Sequence, residues 1–292
     1  MQIGKISMDT HISRTLIGVY GRNGIGKTTS LLLLLLEQGE RVLYLSTETG
    51  FRVLQSTLKL IEFLHQQVLS GVSIEDVMTN FKLDRPSLSQ QMEEILREAL
   101  AIRATKPDNF KLEIDHIYID SMTDLTSDII WKAYEDKVIF HGIDMSKKDI
   151  VVLDTLTYFS DLVVKERQLA NKNNKNGFAT WGEHSIAIKG LLEKLLLTRG
   201  IKIVMAHEGY NKDLKKTSIA LQGDAVKTDV FGKFNIVFFA TEYRRSDDEE
   251  IKRVFVTNPN ILSDLADCKS QDTRINEIEP MDMNKIIKKL TM

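Results

Sequence analysis

The sequence predicts an α/β fold in which helices cover both faces of a mostly parallel, twisted sheet. Three observations predict it. Short apolar segments typical of buried strands recur along the chain, helical segments stand between them, and several strand segments end in an acidic or polar residue. We expect residues 1–292 to form a single domain, with a helical insertion over 60–109 and a β-hairpin extension near the C-terminus.

The composition sets broad limits on the kind of protein. The chain has 292 residues, 42% hydrophobic and 27% charged, so it can bury a core. Its formal net charge of -2 excludes a global basic field, and any anionic partner therefore requires a local basic patch. The single cysteine, Cys268, excludes a disulfide framework and favours a cytoplasmic location. The longest apolar run, Leu31 to Leu36, is too short to span a bilayer, so no membrane partner is expected.

The first strand segment, TLIGVY, leads into a glycine-rich loop and a leucine-rich helix. The loop fits the phosphate-binding pattern G-x-x-x-x-G-K-[ST], whose backbone N–H groups face a polyphosphate at the start of a helix. Lys27 is expected to reach the β- and γ-phosphates, and the Thr28 hydroxyl to ligate Mg²⁺. ATP is the expected nucleotide, because the guanine-reading pattern N-K-x-D is absent from the sequence. The residues predicted to bind it are Gly21, Arg22, Asn23, Gly24, Ile25, Gly26, Lys27, Thr28 and Thr29.

A second strand segment, Val42 to Ser46, is followed by Thr47 and Glu48. The phosphate loop and this glutamate both follow parallel strands, so they are expected at the same carboxyl edge of the sheet. A carboxylate at that place can orient and deprotonate an attacking water. Glu48 is therefore predicted to be catalytic, together with Lys27.

Two segments, HIYIDSMTDLT and DIVVLDTLTYF, each offer an aspartate to hold Mg²⁺ through water. The strand next to the phosphate loop should be central and continuously apolar, and 150–153 satisfies this better than 116–119. The interval from Asp154 to His207, at the end of the next strand, has room for one helix and one loop. We predict Asp154 as the magnesium ligand and keep Asp120 as the alternative. The Asp120 strand is expected to lead into a helix over SDIIWKAYEDK.

The last core strand, IKIVMAH, ends at His207, which is expected to face a γ-phosphate and to report ATP against ADP. Further on, NIVFFATEYRR and IKRVFVTNP predict an antiparallel hairpin around the acidic turn SDDEE. Arg244 stands in this hairpin, where a subunit would present positive charge to its neighbour's nucleotide. A short helix after Pro280 is expected to close the chain.

These motifs occur in an order that resembles the phage-encoded RecA-like ATPases classed with single-strand annealing proteins. LYLSTETGF is similar to the D-T-E-G-x-F segment of RecA-like and RadA-like recombination ATPases, whose glutamate is the catalytic base. VVLDTLTYF, VMAHE, LQGDA and VTNP follow in the family's order. RecA-like proteins usually carry glutamine where this chain has His207. The family's last basic motif is matched only by Lys269, so the resemblance implies that Lys269 or Arg244 approaches the neighbouring subunit's phosphates, with Arg274 as a further alternative.

The resemblance also implies a binding surface for single-stranded DNA. In RecA-like proteins, the loops after the last two core strands line the axis of a ring or filament and grip the strand. Lysines contact the phosphates there, and an aromatic side chain stacks on a base. Two basic stretches that read as mobile loops occupy these places here. Their implied DNA contacts are Lys172, Lys175 and Phe178 in the first, and Tyr210, Lys212, Lys215, Lys216 and Lys227 in the second.

The segment 60–109 is longer than the compact family pattern requires. It reads as helices, the last of them beginning with a capping box formed by Ser87 and Gln90. Nothing in the segment carries chemistry. It would dock a partner or cover an edge of the sheet.

The sequence therefore leads to one hypothesis and two alternatives. The hypothesis is an Mg²⁺-dependent ATPase that assembles into a hexameric ring or helical filament. It would act on single-stranded DNA in recombination or replication, with a single-strand-binding or replication protein as a further partner. The first alternative is a DnaB-like helicase motor or its loader. The second is a nucleotide-dependent interaction switch without DNA binding.

Overall fold

The computed structural model describes residues 14–108, 110–134, 137–172, 178–211, 215–244, 251–261 and 266–292. Strands and helices alternate through most of the described chain, as expected for an α/β fold. The strands are β1 Leu16–Gly21, β2 Val42–Ser46, β3 Asp115–Tyr118, β4 Trp131–Ala133, β5 Val138–Phe140, β6 Ile143–Asp144, β7 Ile150–Asp154, β8 Ile201–Asn211, β9 Lys216–Ile219, β10 Ile236–Tyr243, β11 Lys252–Val256, β12 Lys269–Ser270 and β13 Ile278–Pro280.

The main sheet has the strand order β13-β11-β10-β1-β8-β7-β2-β3, with β12 beside β10 and β9 beside β8. The six strands from β10 to β3 in this order are parallel. The strands β10 and β11 form the predicted antiparallel hairpin, and β13 extends it. The Asp154 strand, β7, is central and parallel as expected, and β8 lies between it and β1, which leads into the phosphate loop.

Helices pack on both faces of this sheet. The helices are α1 Leu32–Gln38, which follows a 3₁₀ turn at Thr29–Leu31, α2 Gly50–Leu69, α3 Ile74–Asp84, α4 Gln90–Ala104, α5 Thr123–Thr126, α6 Leu156–Ala170, α7 Phe178–Leu197, α8 Asp224–Lys233 and α9 Met283–Thr291. One hydrophobic cluster joins α1, α2, α3, α4 and α9 to the sheet, and a second joins α6, α7 and α8 to the opposite face. The RecA-like α/β fold class predicted from the sequence is confirmed.

Strand side chains alternate between the two clusters because successive residues of a strand point to opposite faces. In β2, Val42 and Tyr44 contact the cluster around α1, whereas Leu43 and Leu45 contact the cluster around α6 and α7. All six leucines from 31 to 36 are buried, since α1 is enclosed between the sheet and other helices. This accounts for a helix that is apolar nearly all round.

Two expectations about connections were wrong. Two long helices, α6 and α7, lie between β7 and β8, where one helix and one loop were expected. The described residues of 127–137, after β3, do not form the expected helix. Trp131–Ala133 instead pairs with β5 in a small antiparallel sheet, β4-β5-β6. The ring of Trp131 packs 4.2 Å from that of Phe140, and its indole N–H donates to the Leu125 carbonyl, which holds this segment extended.

The predicted insertion, 60–109, begins within α2 and continues through α3 and α4. Its buried residues, among them Ile61, Val77 and Leu100, belong to the same cluster as α1, so the segment packs on the core of the domain. The helix α4 is capped by Ser89, whose hydroxyl accepts from the Met92 N–H, and not by the expected Ser87. Among the described residues, no helix combines the length and the hydropathy needed to cross a bilayer.

Candidate active site

The glycine-rich loop leaves β1 at the carboxyl edge of the sheet and leads directly into the first helical turn. Gly24 and Gly26 have positive φ angles of 76° and 104°, which side-chain-bearing residues rarely adopt. A Cβ on Gly21 would lie 2.4 Å from the Ala240 carbonyl oxygen, so only glycine fits beside β10 there. Ile25 is buried in the core and anchors the loop. The loop is therefore fixed by close packing on both sides.

Lys27 lies over this loop and is buried. The ammonium donates to two carbonyls of its own loop, Gly21 O at 2.7 Å and Arg22 O at 3.0 Å. Burial lowers the pKa of Lys27, while the nearby carboxylates of Asp154 and Glu48 act in the opposite direction. A cation held among carbonyls at this place is suited to an anionic ligand.

Asp154, at the end of β7, contacts the phosphate loop directly. Its Oδ2 accepts from the Thr28 hydroxyl at 3.0 Å and from the Tyr44 hydroxyl at 2.5 Å. Its Oδ1 is buried and has no partner among the described residues. Burial raises the pKa of Asp154, partly offset by these two hydrogen bonds. Asp120, the alternative, is exposed at the end of the edge strand β3 and is not brought to Thr28.

Glu48 follows β2, whose end is tied to the end of β7. The Thr47 N–H donates to Asp154 O at 2.8 Å, and the Thr47 hydroxyl donates to Thr155 O at 2.9 Å. The next residues begin α2 at Gly50, where a Cβ would lie 2.9 Å from Asp154 Oδ2. Glu48 and Asp154 are thereby held beside one another by backbone contacts.

His207 lies at the point where β8 leaves the parallel sheet and continues into the β8–β9 hairpin. Its Nε2 is 3.3 Å from Glu48 Oε1. The Thr157 hydroxyl accepts from the His207 N–H at 2.9 Å and donates to Ala220 O at 2.9 Å, which joins α6, β8 and the residue after β9. The structure therefore brings together five residues predicted from separate motifs: Lys27, Thr28, Glu48, Asp154 and His207.

Of the residues implied to contact DNA that the structure describes, most lie on regular elements and not on the loops that were expected. Lys172 follows α6, and the backbone of Phe178 begins α7. Tyr210 and Lys216 belong to the β8–β9 hairpin, with Lys215 at its turn and Lys227 on α8. Lys216 is 3.6 Å from Asp267. Lys175 and Lys212 lie outside the described residues.

The two residues implied to act on a neighbouring subunit lie at opposite edges of the sheet. Arg244 is exposed directly after β10, at the carboxyl edge that holds the phosphate loop. Lys269 pairs with Val237 at the start of β10, at the amino edge, and its ammonium lies 4.9 Å from the Phe231 ring centroid. Burial lowers the pKa of Lys269. Only Arg244 shares an edge with the phosphate loop.

Sequence reasoning did not identify Tyr44 or Gly50 as parts of the site. Tyr44 occupies an inward position of β2, and the strand pattern gave no sign that its hydroxyl reaches Asp154. Gly50 lies within the segment LYLSTETGF, whose pattern assigns it no function. Its importance depends on the distance from β7 to α2, which a sequence does not contain.

The residues present fit a nucleotide with Mg²⁺. The partnerless Oδ1 of Asp154 is an oxygen donor of the kind that Mg²⁺ prefers, and the Thr28 hydroxyl lies beside it. The absence of a Cβ at Gly50 leaves room next to both groups. Thr28 and Asp154 are the residues that would hold the ion.

A phosphate-binding loop, a lysine and a buried aspartate at the carboxyl edge of a parallel sheet define a P-loop nucleotide-binding protein of RecA-like fold. Residues 14–264 match the AAA domain family AAA_24, and the chain belongs to this family. No curated protein matches the chain in sequence.

Two solved structures are similar in fold. One is the RadB recombinase, at 16% identity and a TM-score of 0.35, over 84% of this chain and 89% of that one. The other is a prototypical ATPase from the type III secretion system of pathogenic bacteria, at 12% identity and a TM-score of 0.38, over 78% of this chain and 51% of that one. At these values neither likeness bears on the activity of the present chain.

Proposed function

We propose that the protein is an Mg²⁺-dependent ATPase that binds single-stranded DNA, acts in recombination or replication and assembles into a ring or filament. The observation that carries the ATPase part is the convergence of Lys27, Thr28, Glu48, Asp154 and His207 at one edge of the sheet. These groups come from four different strand ends. A P-loop hydrolase requires a phosphate-binding lysine, a hydroxyl and an aspartate for Mg²⁺, and a residue that orients the attacking water in one place.

Each phosphate-binding residue has a defined part in this proposal. Lys27 would exchange its contacts with the Gly21 and Arg22 carbonyls for the β- and γ-phosphates. Thr28 and Asp154 would hold Mg²⁺, which when bound neutralises charge on the phosphates. Tyr44 keeps Asp154 in position through its hydroxyl. Most of the rate would come from such positioning and charge stabilisation.

Glu48 would accept the proton of the attacking water, and His207 would report the γ-phosphate. The 3.3 Å contact between them supports a shared water site on the side of the loop away from β10. His207 continues through Glu208 into the hairpin that carries Tyr210 and Lys216. Movement of His207 would therefore reach the proposed DNA contacts directly through one strand.

The steady-state rate of ATP hydrolysis with Mg²⁺, measured alone and with single-stranded or double-stranded DNA, tests the proposal. We expect stimulation by single strands alone, because the hairpin and the nucleotide site share β8. A rate unchanged by either DNA would contradict the DNA part and leave the ATPase part intact. Absence of hydrolysis under every condition would contradict both parts.

Glu48→Gln is expected to abolish hydrolysis while ATP binding remains, because an amide cannot accept the proton of water but keeps the shape of the side chain. Phosphate release and titration with a fluorescent ATP analogue measure the two effects. Glu40→Gln, at an exposed position before β2, is the matched control and should behave as wild type. Normal turnover by Glu48→Gln would remove Glu48 from the mechanism.

One observation favours the second candidate, a nucleotide-dependent interaction switch without DNA binding. Lys216, one of the proposed DNA contacts, lies 3.6 Å from the Asp267 carboxylate, which reduces its attraction for phosphate. The switch predicts that ATP binding changes the hairpin while DNA does not bind. Fluorescence anisotropy with a labelled single strand, in the presence and absence of ATP, distinguishes the two functions.

A further inference from the structure

Besides Arg22, a second arginine lies beside the phosphate loop, within the strand segment IKRVFVTNP, and the sequence pattern gave it no function. Arg253, on β11, is exposed, and its Nη1 lies 3.5 Å from the position that a Cβ of Gly26 would occupy. Gly26 directly precedes Lys27, so the guanidinium of Arg253 lies on the flank of the loop that would bind a polyphosphate. This arginine belongs to the same chain as the loop.

Within the described part of the chain, Arg253 forms no ion pair with a carboxylate, although Glu242 lies opposite it on β10. By contrast, Arg22 within the loop is paired with Glu242 at 2.8 Å. A guanidinium presents planar donors that match phosphate oxygens, and it stays charged at any physiological pH. Next to a loop built for phosphate, an unpaired guanidinium is suited to the same ligand.

The helical segment holds Arg253 in this place. The side chain of Gln91, at the start of α4, exchanges two hydrogen bonds with the backbone of Arg253: Nε2 donates to Arg253 O at 3.0 Å, and Oε1 accepts from Arg253 N at 3.2 Å. The end of α4 that carries Gln91 is fixed by the Ser89 cap. At Arg253, the edge of β11 that does not pair with β10 is thus joined to α4 beside the loop.

A cavity of about 60 Å³ separates these groups from the first turn after the loop. Its lining includes Gly26, Thr29, Gln91, Arg253 and Met281. A wider cleft of about 420 Å³, which also contacts Gln91 and Arg253, adjoins it. Arg253 therefore faces open space that leads to the loop, and its side chain can reach a ligand there.

We propose that Arg253 contacts the phosphate chain of the nucleotide bound in its own subunit, and that Gln91 of the helical segment positions it. This inference rests on the proposed binding of ATP. The helical segment 60–109 would then contribute to nucleotide affinity, because the side chain of Gln91 would connect α4 to the site. No arginine from a neighbouring subunit is required for this contact.

Calorimetric titration of the full chain with Mg-ATP and with Mg-tripolyphosphate tests the contact. Arg253→Ala should lower the affinity for both ligands by about tenfold, because a charge-assisted hydrogen bond is lost. Arg253→Lys should recover part of the loss, since the charge remains but the planar donors do not. Arg199→Ala, which removes an exposed arginine at the opposite edge of the sheet, is the control and should leave both affinities unchanged.

The result that overturns the proposal is an Arg253→Ala variant that binds both ligands as wild type does. A loss confined to ATP also overturns it, because the contact would then be to the nucleoside. Lys27→Ala separates this failure from that of the proposed function. If the wild-type chain binds neither ligand, both ideas fail. If the wild-type chain binds both ligands and Lys27→Ala binds neither, an Arg253→Ala variant with wild-type affinity refutes only the present inference.

A double-mutant cycle tests the part of Gln91. As a positioning residue, Gln91 should matter only while Arg253 is present, so Gln91→Ala should weaken ATP binding in the wild-type background and change nothing in Arg253→Ala. A purely structural role would lower affinity by the same factor in both backgrounds, and that outcome rejects the coupling. Thermal unfolding of each variant confirms that the fold is retained.

Discussion

At the scale of single residues, the site depends on a carboxylate oxygen without a partner and on a glycine without a side chain. Asp154 receives two hydroxyl donors on one oxygen, and its other oxygen has no partner among the described residues. Next to the hydrogen-bonded oxygen, Oδ2, space remains because Gly50 has no side chain. A buried carboxylate with a partnerless oxygen is costly unless a cation binds it, so this arrangement favours a metal ligand.

Gly50→Ala is expected to lower the rate of ATP hydrolysis by about tenfold or more while the fold is kept. The added Cβ would lie 2.9 Å from Asp154 Oδ2 and 3.4 Å from the Thr28 hydroxyl, so the two proposed Mg²⁺ ligands must shift. Phosphate release as a function of Mg²⁺ concentration measures the effect. Gly190→Ala in α7 is the matched control, because a Cβ there has nothing within 4 Å. Equal activity in the two variants would contradict the role given to Gly50.

Lys202 gives a prediction about pH. It is fully buried at the start of β8, where its ammonium nitrogen donates to the Thr198 and Gly200 carbonyls after α7. Burial lowers the pKa of Lys202 to about 7 from its usual 10.5. Between these values the unfolded chain binds a proton that the folded chain does not. The contribution of Lys202 to the free energy of unfolding is therefore expected to rise as the pH increases from about 7 towards 10.5.

The comparison of wild type with Lys202→Met isolates this effect. From about pH 7.5 to about pH 9.5, the free energy of unfolding of wild type should increase relative to the variant, by at most about 1.4 kcal/mol per pH unit. Urea unfolding at both pH values measures it. Parallel pH dependence in the two proteins would show that Lys202 keeps its proton in the folded state.

At the scale of elements, the sequence predicted most accurately the features that depend on residues adjacent in the chain. The loop from Gly21 to Thr28 and its flanking strand and helix follow from local spacing, and the ends of β2 and β7 follow from short apolar runs. Pairing between distant segments was less predictable. Trp131–Ala133 has a helical pattern but pairs with β5 because its tryptophan packs on Phe140, and β8 extends to Asn211 because β9 pairs with it.

The β8–β9 hairpin carries the prediction that belongs to this scale. Replacing Tyr210, Lys215 and Lys216 by alanine should weaken single-stranded DNA binding by about tenfold or more, through lost phosphate contacts and lost stacking. ATP hydrolysis without DNA should be unchanged, since none of the three residues contacts the phosphate loop. Anisotropy with a labelled oligonucleotide measures binding. Lys132→Ala with Lys137→Ala, at exposed positions of the small sheet, provides the charge control.

Retention of full DNA affinity by the hairpin variant would contradict the proposed DNA surface. Salt dependence adds a second criterion. If the lysines contact phosphates, the variant should show a shallower loss of affinity with rising salt than wild type. The control pair should leave that slope unchanged.

At the scale of the whole molecule, the position of positive charge matters more than its total. The formal net charge is -2, yet Lys27, Arg244 and Arg253 all lie near the carboxyl edge of the parallel strands. Of the two residues implied to act across subunits, Lys269 lies at the far edge, over the Phe231 ring. The edge that binds the nucleotide is therefore also the edge at which a neighbouring subunit would meet Arg244.

Mixing two inactive variants tests whether Arg244 acts across a subunit interface. Arg244→Ala keeps its own Glu48 but cannot supply the arginine, whereas Glu48→Gln supplies the arginine but cannot activate water. Neither should hydrolyse ATP alone. In a random mixed assembly about a quarter of the interfaces would combine an intact site with an intact arginine, so phosphate release should recover to about that fraction of wild type. Light scattering after size-exclusion chromatography confirms co-assembly. Two results would place Arg244 outside the neighbour's site. One is normal hydrolysis by Arg244→Ala alone. The other is co-assembly without recovered hydrolysis, because an arginine that acts on a neighbouring subunit must restore activity when a neighbour supplies it.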